Sequence, residues 1–85
     1  MKMVFRANYR IATLQSAPSL QLDHVPLENV TFAEAVEAAR ASHARTGRRT
    51  YITHAIGPRV WFVIDADGTE ENRNRGAVYP QLDAA

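Results

Sequence analysis

The chain contains no cysteine. That excludes a disulfide framework, a thiolate metal site and a cysteine nucleophile, and it fits a reducing compartment. It also lacks any apolar run close to the roughly 20 residues needed to span a bilayer. The opening stretch MKMVFRANYRIATL places Arg6 and Arg10 inside what would have to be the apolar core of a secretory signal, so it does not read as one. These absences predict a cytosolic protein with no membrane contact. Lysine is nearly missing too: Lys2 stands alone and the other nine of ten basic residues are arginine. Arginine suits bidentate, partly buried pairing, although the codon bias of a GC-rich genome accounts for the same count. The acidic residues almost balance the basic ones, leaving a net charge of +1, so no global field draws the chain to nucleic acid.

Motifs of catalysis are absent as well. His24, His43 and His54 are far apart and show no metal-ligand spacing. The stretch DADGTEE resembles a calcium loop, but Glu70 stands at the sixth position, where glycine is required. A turn after a strand is the better reading. Gly57, Gly68 and Gly76 make no phosphate cradle, and Ser16, Ser19 and Ser42 show no histidine–acid arrangement. Neither an enzyme, a metal nor a cofactor is expected. His43 reads as a packed, hydrogen-bonded histidine.

At 85 residues the chain is one domain, residues 1–85, with a stability of roughly 4–13 kcal/mol. Residues 2 to 14 alternate in the period of a half-buried strand, with Met3, Phe5, Ala7, Tyr9 and Ile11 on one side and Lys2, Arg6, Asn8 and Arg10 on the other, Val4 being the exception. QSAPS breaks the pattern, and LQLDHVPL reads as a second strand ended by Pro26, forming a hairpin with the first. In NVTFAEAVEAARASHARTG, Thr31 and Glu34 make a capping box, with Val30 placed as a hydrophobic staple to Ala35. Phe32, Ala35, Val36, Ala39 and His43 recur at helical spacing, and Gly47 is a natural terminator. The helix is predicted over 32–46, with a thin, alanine-rich buried stripe. Two strands follow, 49–56 and 59–66, joined by Gly57-Pro58 as a two-residue turn. TEENRNRG reads as a polar loop, and AVYP as a possible short last strand. The expected architecture is α+β: a small, mostly antiparallel sheet in the order β-β-α-β-β, with one amphipathic helix on one face.

A two-residue turn pairs Ala55 with Val60, Thr53 with Phe62 and Tyr51 with Ile64, giving an uncharged face for the helix. The opposite face then carries Trp61, His54, Ile52, Ile56 and Val63, rimmed by Arg59. A tryptophan among aliphatics and arginine has the composition of a protein-binding hot spot. Trp61, Arg59, Ile56 and His54 are therefore the candidate protein-binding residues, covered either by a target or by a second copy in a two-fold dimer. Alternatively, residues 2 to 30 or 69 to 85 fold back over that face. A second function class, a small nucleic-acid-binding accessory protein, would use Lys2, Arg6, Arg10, Arg48, Arg49, Arg73 and Arg75 beside aromatic rings.

A sub-hundred-residue cytosolic domain with no catalytic motif, the alanine-rich helix VTFAEAVEAARAS and a hairpin of mixed aromatic and charged groups resembles the anti-CRISPR proteins of phages and mobile elements, in particular inhibitors of type I systems. The resemblance is one of architecture, so it assigns no residue a role. It implies a non-catalytic inhibitor in the host cytoplasm that binds a CRISPR effector subunit and blocks target DNA recognition or nuclease recruitment.

Overall fold

The computed structural model describes residues 5–15, 22–56 and 59–73. Their elements are β1 (Ala7–Leu14), β2 (Leu22–Val30), α1 (Phe32–Thr46), β3 (Thr50–His54), β4 (Val60–Ile64) and β5 (Glu70–Asn72). The strands form one antiparallel sheet in the order β2-β1-β3-β4-β5. α1 packs on one face, so the fold is α+β as its periodicities predict.

The helix starts where the capping pattern places it. Thr31 N–H donates to Glu34 Oε1 at 2.8 Å, and Glu34 N–H donates back to Thr31 Oγ1 at 3.0 Å. Gly47 ends it at φ 68°, a left-handed conformation in which glycine is least strained, with its N–H on the His43 carbonyl at 2.7 Å. Ala35, Val36 and Ala39 are fully buried, and Phe32 nearly so. The small alanines let the helix axis approach the sheet, where Tyr9, Ile11, Ile52, Phe62 and Ile64 complete the core. The Thr13 and Ser42 hydroxyls, both buried between β1 and α1, satisfy each other at 2.8 Å. Thr31→Ala is expected to lower stability by about 0.5–2 kcal/mol through loss of the cap, read as a shifted urea midpoint at unchanged slope.

Three sequence expectations are corrected here. Pro26 does not end the second strand, which runs on to Val30. β2 lies at the sheet edge, where a residue without an N–H is tolerated. Past Pro26 it bulges at Asn29 (φ 56°), whose N–H is taken by Asn8 Oδ1 at 2.9 Å. Second, the polar stretch TEEN is not all loop: Glu70–Asn72 pairs with β4. The Arg40 guanidinium grips the Glu70 carboxylate through two bonds of 2.8 Å and so ties this edge to the helix. Third, the β3–β4 register is one residue away from the two-residue-turn pairing. Thr50 faces Ile64, Tyr51 faces Val63 and Ile52 faces Phe62, after which the register slips so that Thr53 faces Val60. The QSAPS and Gly57-Pro58 turns and the AVYP strand lie outside the described residues.

Several carboxylates on this framework are held below their ordinary range. Glu34 is lowered first by the Thr31 backbone N–H, Asp67 by the Thr69 N–H, and Glu70 by the Arg40 guanidinium. A depressed folded-state pKa gives stability that is present above the unfolded value and lost as pH falls through the folded one. The melting temperature should therefore decline as the pH drops past about 4.5, the ordinary value for glutamate. Glu70→Gln should flatten part of that decline in melts taken across the acid range.

Candidate functional site

The register places each candidate residue. Thr50, Ile52, Phe62 and Ile64 point toward α1, whereas Tyr51, Thr53, Val60 and Val63 point away from it. A one-residue shift exchanges the faces of a strand, and that exchange is what separates the observed sheet from the expected one. Trp61 falls at the register slip. It is the extra residue of a β-bulge, so it turns inward beside Phe62 rather than outward.

Trp61 is consequently a core residue, 6% exposed. It meets Tyr9 edge-on at 6.4 Å and His54 at 6.0 Å, and the Arg59 guanidinium lies 5.4 Å over its ring. Ile52 is fully buried with it, and Val63, though on the far face, is 3% exposed. The expectation that Trp61, Ile52 and Val63 are presented to a partner is thus overturned by burial. Of the proposed binding cluster, Ile56 is exposed at 83%, Arg59 is exposed and His54 is half-buried. They gather at the β3–β4 end of the sheet, where the Ile56 N–H donates to His54 Nδ1 at 3.3 Å. His43 is hydrogen-bonded as expected, its Nε2 3.3 Å from the Ala66 carbonyl, but it is only half-buried and outside the core.

The arginines do not form one stripe. Arg6 reaches Glu34 at the helix start at 3.2 Å, off the face that carries Arg10. Arg49 lies 3.6 Å from Asp65 and 5.5 Å over the Tyr51 ring, and Arg73 pairs with Glu71 at 2.6 Å. Arg48 is exposed beyond the helix, while Lys2 and Arg75 lie outside the described residues. The cations are dispersed, and Arg6, Arg49 and Arg73 each have a carboxylate beside them, which weakens any common hold on a phosphate backbone.

The face turned away from α1 holds a feature that the expected register concealed. Arg10, Ala12 and Leu14 of β1 stand beside Pro26, His24 and Leu22 of β2 on one side and beside Thr53 and Tyr51 of β3 on the other. All of these but Pro26, together with Val60, line a groove of about 430 Å³. Ala12, Leu14, Leu22, Tyr51 and Val60 make it mainly apolar. Arg10 and His24 bring the polar groups, and no carboxylate lines it among the described residues. The Arg10 guanidinium donates to the His54 carbonyl at 3.4 Å, which holds it along the groove. One signal for this face was present in the sequence: the even positions of the first strand turn from polar to apolar after Arg10, at Ala12 and Leu14. Among the described residues no group of His, Asp or Glu side chains is placed to hold a metal ion, and no helix is long and apolar enough to cross a membrane.

No protein-family model matches this sequence, and neither the curated proteins nor the solved structures offer a match.

Proposed function

We propose that this protein is a small non-catalytic binding module that docks a protein partner in the groove on the face of its sheet turned away from α1, and that it acts as an anti-CRISPR inhibitor whose partner is a subunit of a type I CRISPR effector. The observation that carries the docking reading is the groove itself: an apolar floor with Arg10 and His24 along it and no carboxylate lining it among the described residues. Such a surface selects a segment that brings an apolar side chain together with a carboxylate, because the side chain fills the floor and the acid meets the arginine. Thr53 and Val60 put one end of the groove at the hairpin tip that carries exposed Ile56 and Arg59, so the same partner can reach both. The architectural resemblance supplies the effector as the partner to test.

Leu22 and Val60 line the groove without being part of the core cluster, so charge can be added there with little cost to the fold. Leu22→Arg and Val60→Arg are expected to weaken binding to a purified type I effector about tenfold or more each, equivalent to about 1.4 kcal/mol. In cells carrying the effector, the wild-type protein should restore plaque formation by a targeted phage, and the two variants should not. Folded variants that bind and inhibit like the wild type would remove the groove from the mechanism. A wild-type protein that binds no effector would remove the anti-CRISPR reading.

A further inference from the structure

β2 is an edge strand, and the direction of its backbone groups follows from its neighbours. The Leu14 N–H donates to the Arg49 carbonyl at 2.9 Å and the Ala55 N–H to the Asn8 carbonyl at 3.0 Å, so the even residues of β1 bond toward β3. The odd ones, Tyr9, Ile11 and Thr13, therefore bond toward β2, where they meet Leu27, Val25 and Asp23. That turns the backbone groups of Leu22, His24, Pro26 and Glu28 outward, and among the described residues no other strand pairs with them. The run from Leu22 to Glu28 is regular, since the bulge falls at Asn29. Val25, at its middle, is 49% exposed on the helix side, and Leu22 is exposed on the other face.

We infer that this edge is a pairing surface for a second copy of the chain, and that Pro26 holds it closed. Set two copies antiparallel with the two-fold axis at Val25. Val25 then meets Val25 of the second copy, Asp23 meets Leu27, His24 meets Pro26 and Leu22 meets Glu28. Apolar side chains lie at the axis and no like charges face each other, so the side chains favour the pairing. The backbone fails at one place. Each Leu22–Glu28 pair exchanges both of its bonds, but each His24–Pro26 pair makes only one, because proline has no N–H to offer the His24 carbonyl. That carbonyl is buried without a donor, which costs more than the missing bond alone. Moving the axis does not avoid the loss. Every two-fold pairing within Leu22–Glu28 sets Pro26 against an outward carbonyl or against its own copy, and the symmetry repeats the defect. Within its own sheet the same proline is tolerated, because its nitrogen points away from β1. Pro26 thus blunts the edge against self-association. It also keeps Leu22 and His24, which belong to both the edge and the groove, from being covered by a second copy.

This inference does not rest on the docking reading, and its test needs no partner. In sedimentation of the full-length chain, Pro26→Val should show twice the wild-type mass over a range of concentrations, since restoring both lost bonds tightens self-association about a hundredfold. Adding Val25→Arg to Pro26→Val should return the wild-type mass, because two cations then meet at the axis. Amide hydrogen exchange reads the register. In Pro26→Val the Leu22, His24 and Glu28 amides should slow, while those of Asp23, Val25 and Leu27, already bonded to β1, change little. Pro26→Thr restores the same N–H with a polar side chain and should behave alike. Folded Pro26→Val and Pro26→Thr chains that keep the wild-type mass overturn the inference. A wild-type dimer that Val25→Arg dissociates overturns it as well, since Pro26 then fails to hold the edge closed. A doubling that survives Val25→Arg, or that leaves the Leu22, His24 and Glu28 amides unchanged, uses another surface and counts against it. Open-ended aggregates from both proline variants overturn the two-fold pairing.

Discussion

Trp61→Ala should lower the stability of the protein by about 3–5 kcal/mol, the range for truncating a large aromatic residue in a core. The side chain is 6% exposed and packs with Tyr9 and His54 beneath Arg59. Against a total stability of roughly 4–13 kcal/mol for a chain of this size, that loss leaves a large part of the population unfolded or close to it. The variant should therefore fail in urea titration and far-UV circular dichroism before it fails in any binding assay. Arg59→Ala removes only the cation over the ring and should cost about 1 kcal/mol or less. A Trp61→Ala protein with the wild-type urea midpoint would mean that the bulge does not turn Trp61 inward and that the side chain is available on the surface after all.

The second large effect separates the two faces of β3. Ile52→Ala is expected to cost about 2–5 kcal/mol, because Ile52 is fully buried on a central strand between Ile11 and Phe62. Tyr51→Ala removes a larger side chain from the neighbouring position, yet it should cost less, since Tyr51 is half-buried on the face without a helix. The order of the two urea midpoints is the test. An unbulged pairing, with Tyr51 and Phe62 facing the helix and Ile52 facing outward, requires the opposite order. Tyr51→Ala should also weaken partner binding, as it removes a ring that lines the groove.

The two β3–β4 registers differ by one residue, and that small difference marks the boundary between local and tertiary information. The helix was fully legible: Thr31, Glu34 and Gly47 act on backbone groups within a few residues of themselves, so their effects need no distant partner. The first strand was legible because one of its faces is buried and its alternation is written in Tyr9, Ile11 and their polar neighbours. β5 was not legible. Its residues are polar on both sides, and it is a strand because β4 offers an unpaired edge and Arg40 holds Glu70. Pro26 was misread for a related reason, since whether proline ends a strand depends on whether that strand lies at an edge.

What the amino-acid sequence determined by itself is therefore the fold class, the helix with both of its ends, and the supply of apolar residues for a two-layer domain. What only the tertiary structure decided is which face each apolar residue of β3 and β4 occupies. Residues 51 to 64 are apolar at both parities, so alternation gives no preference between the two registers. Packing against α1 does: Ile52, Phe62 and Ile64 fit beside Ala35, Val36 and Ala39, and the bulge brings Trp61 in with them. The groove is the consequence on the other side. Once the helix has taken one face, Ala12, Leu14, Tyr51 and Val60 are left on the other with Arg10 beside them, and no local propensity of the chain could have placed those residues together.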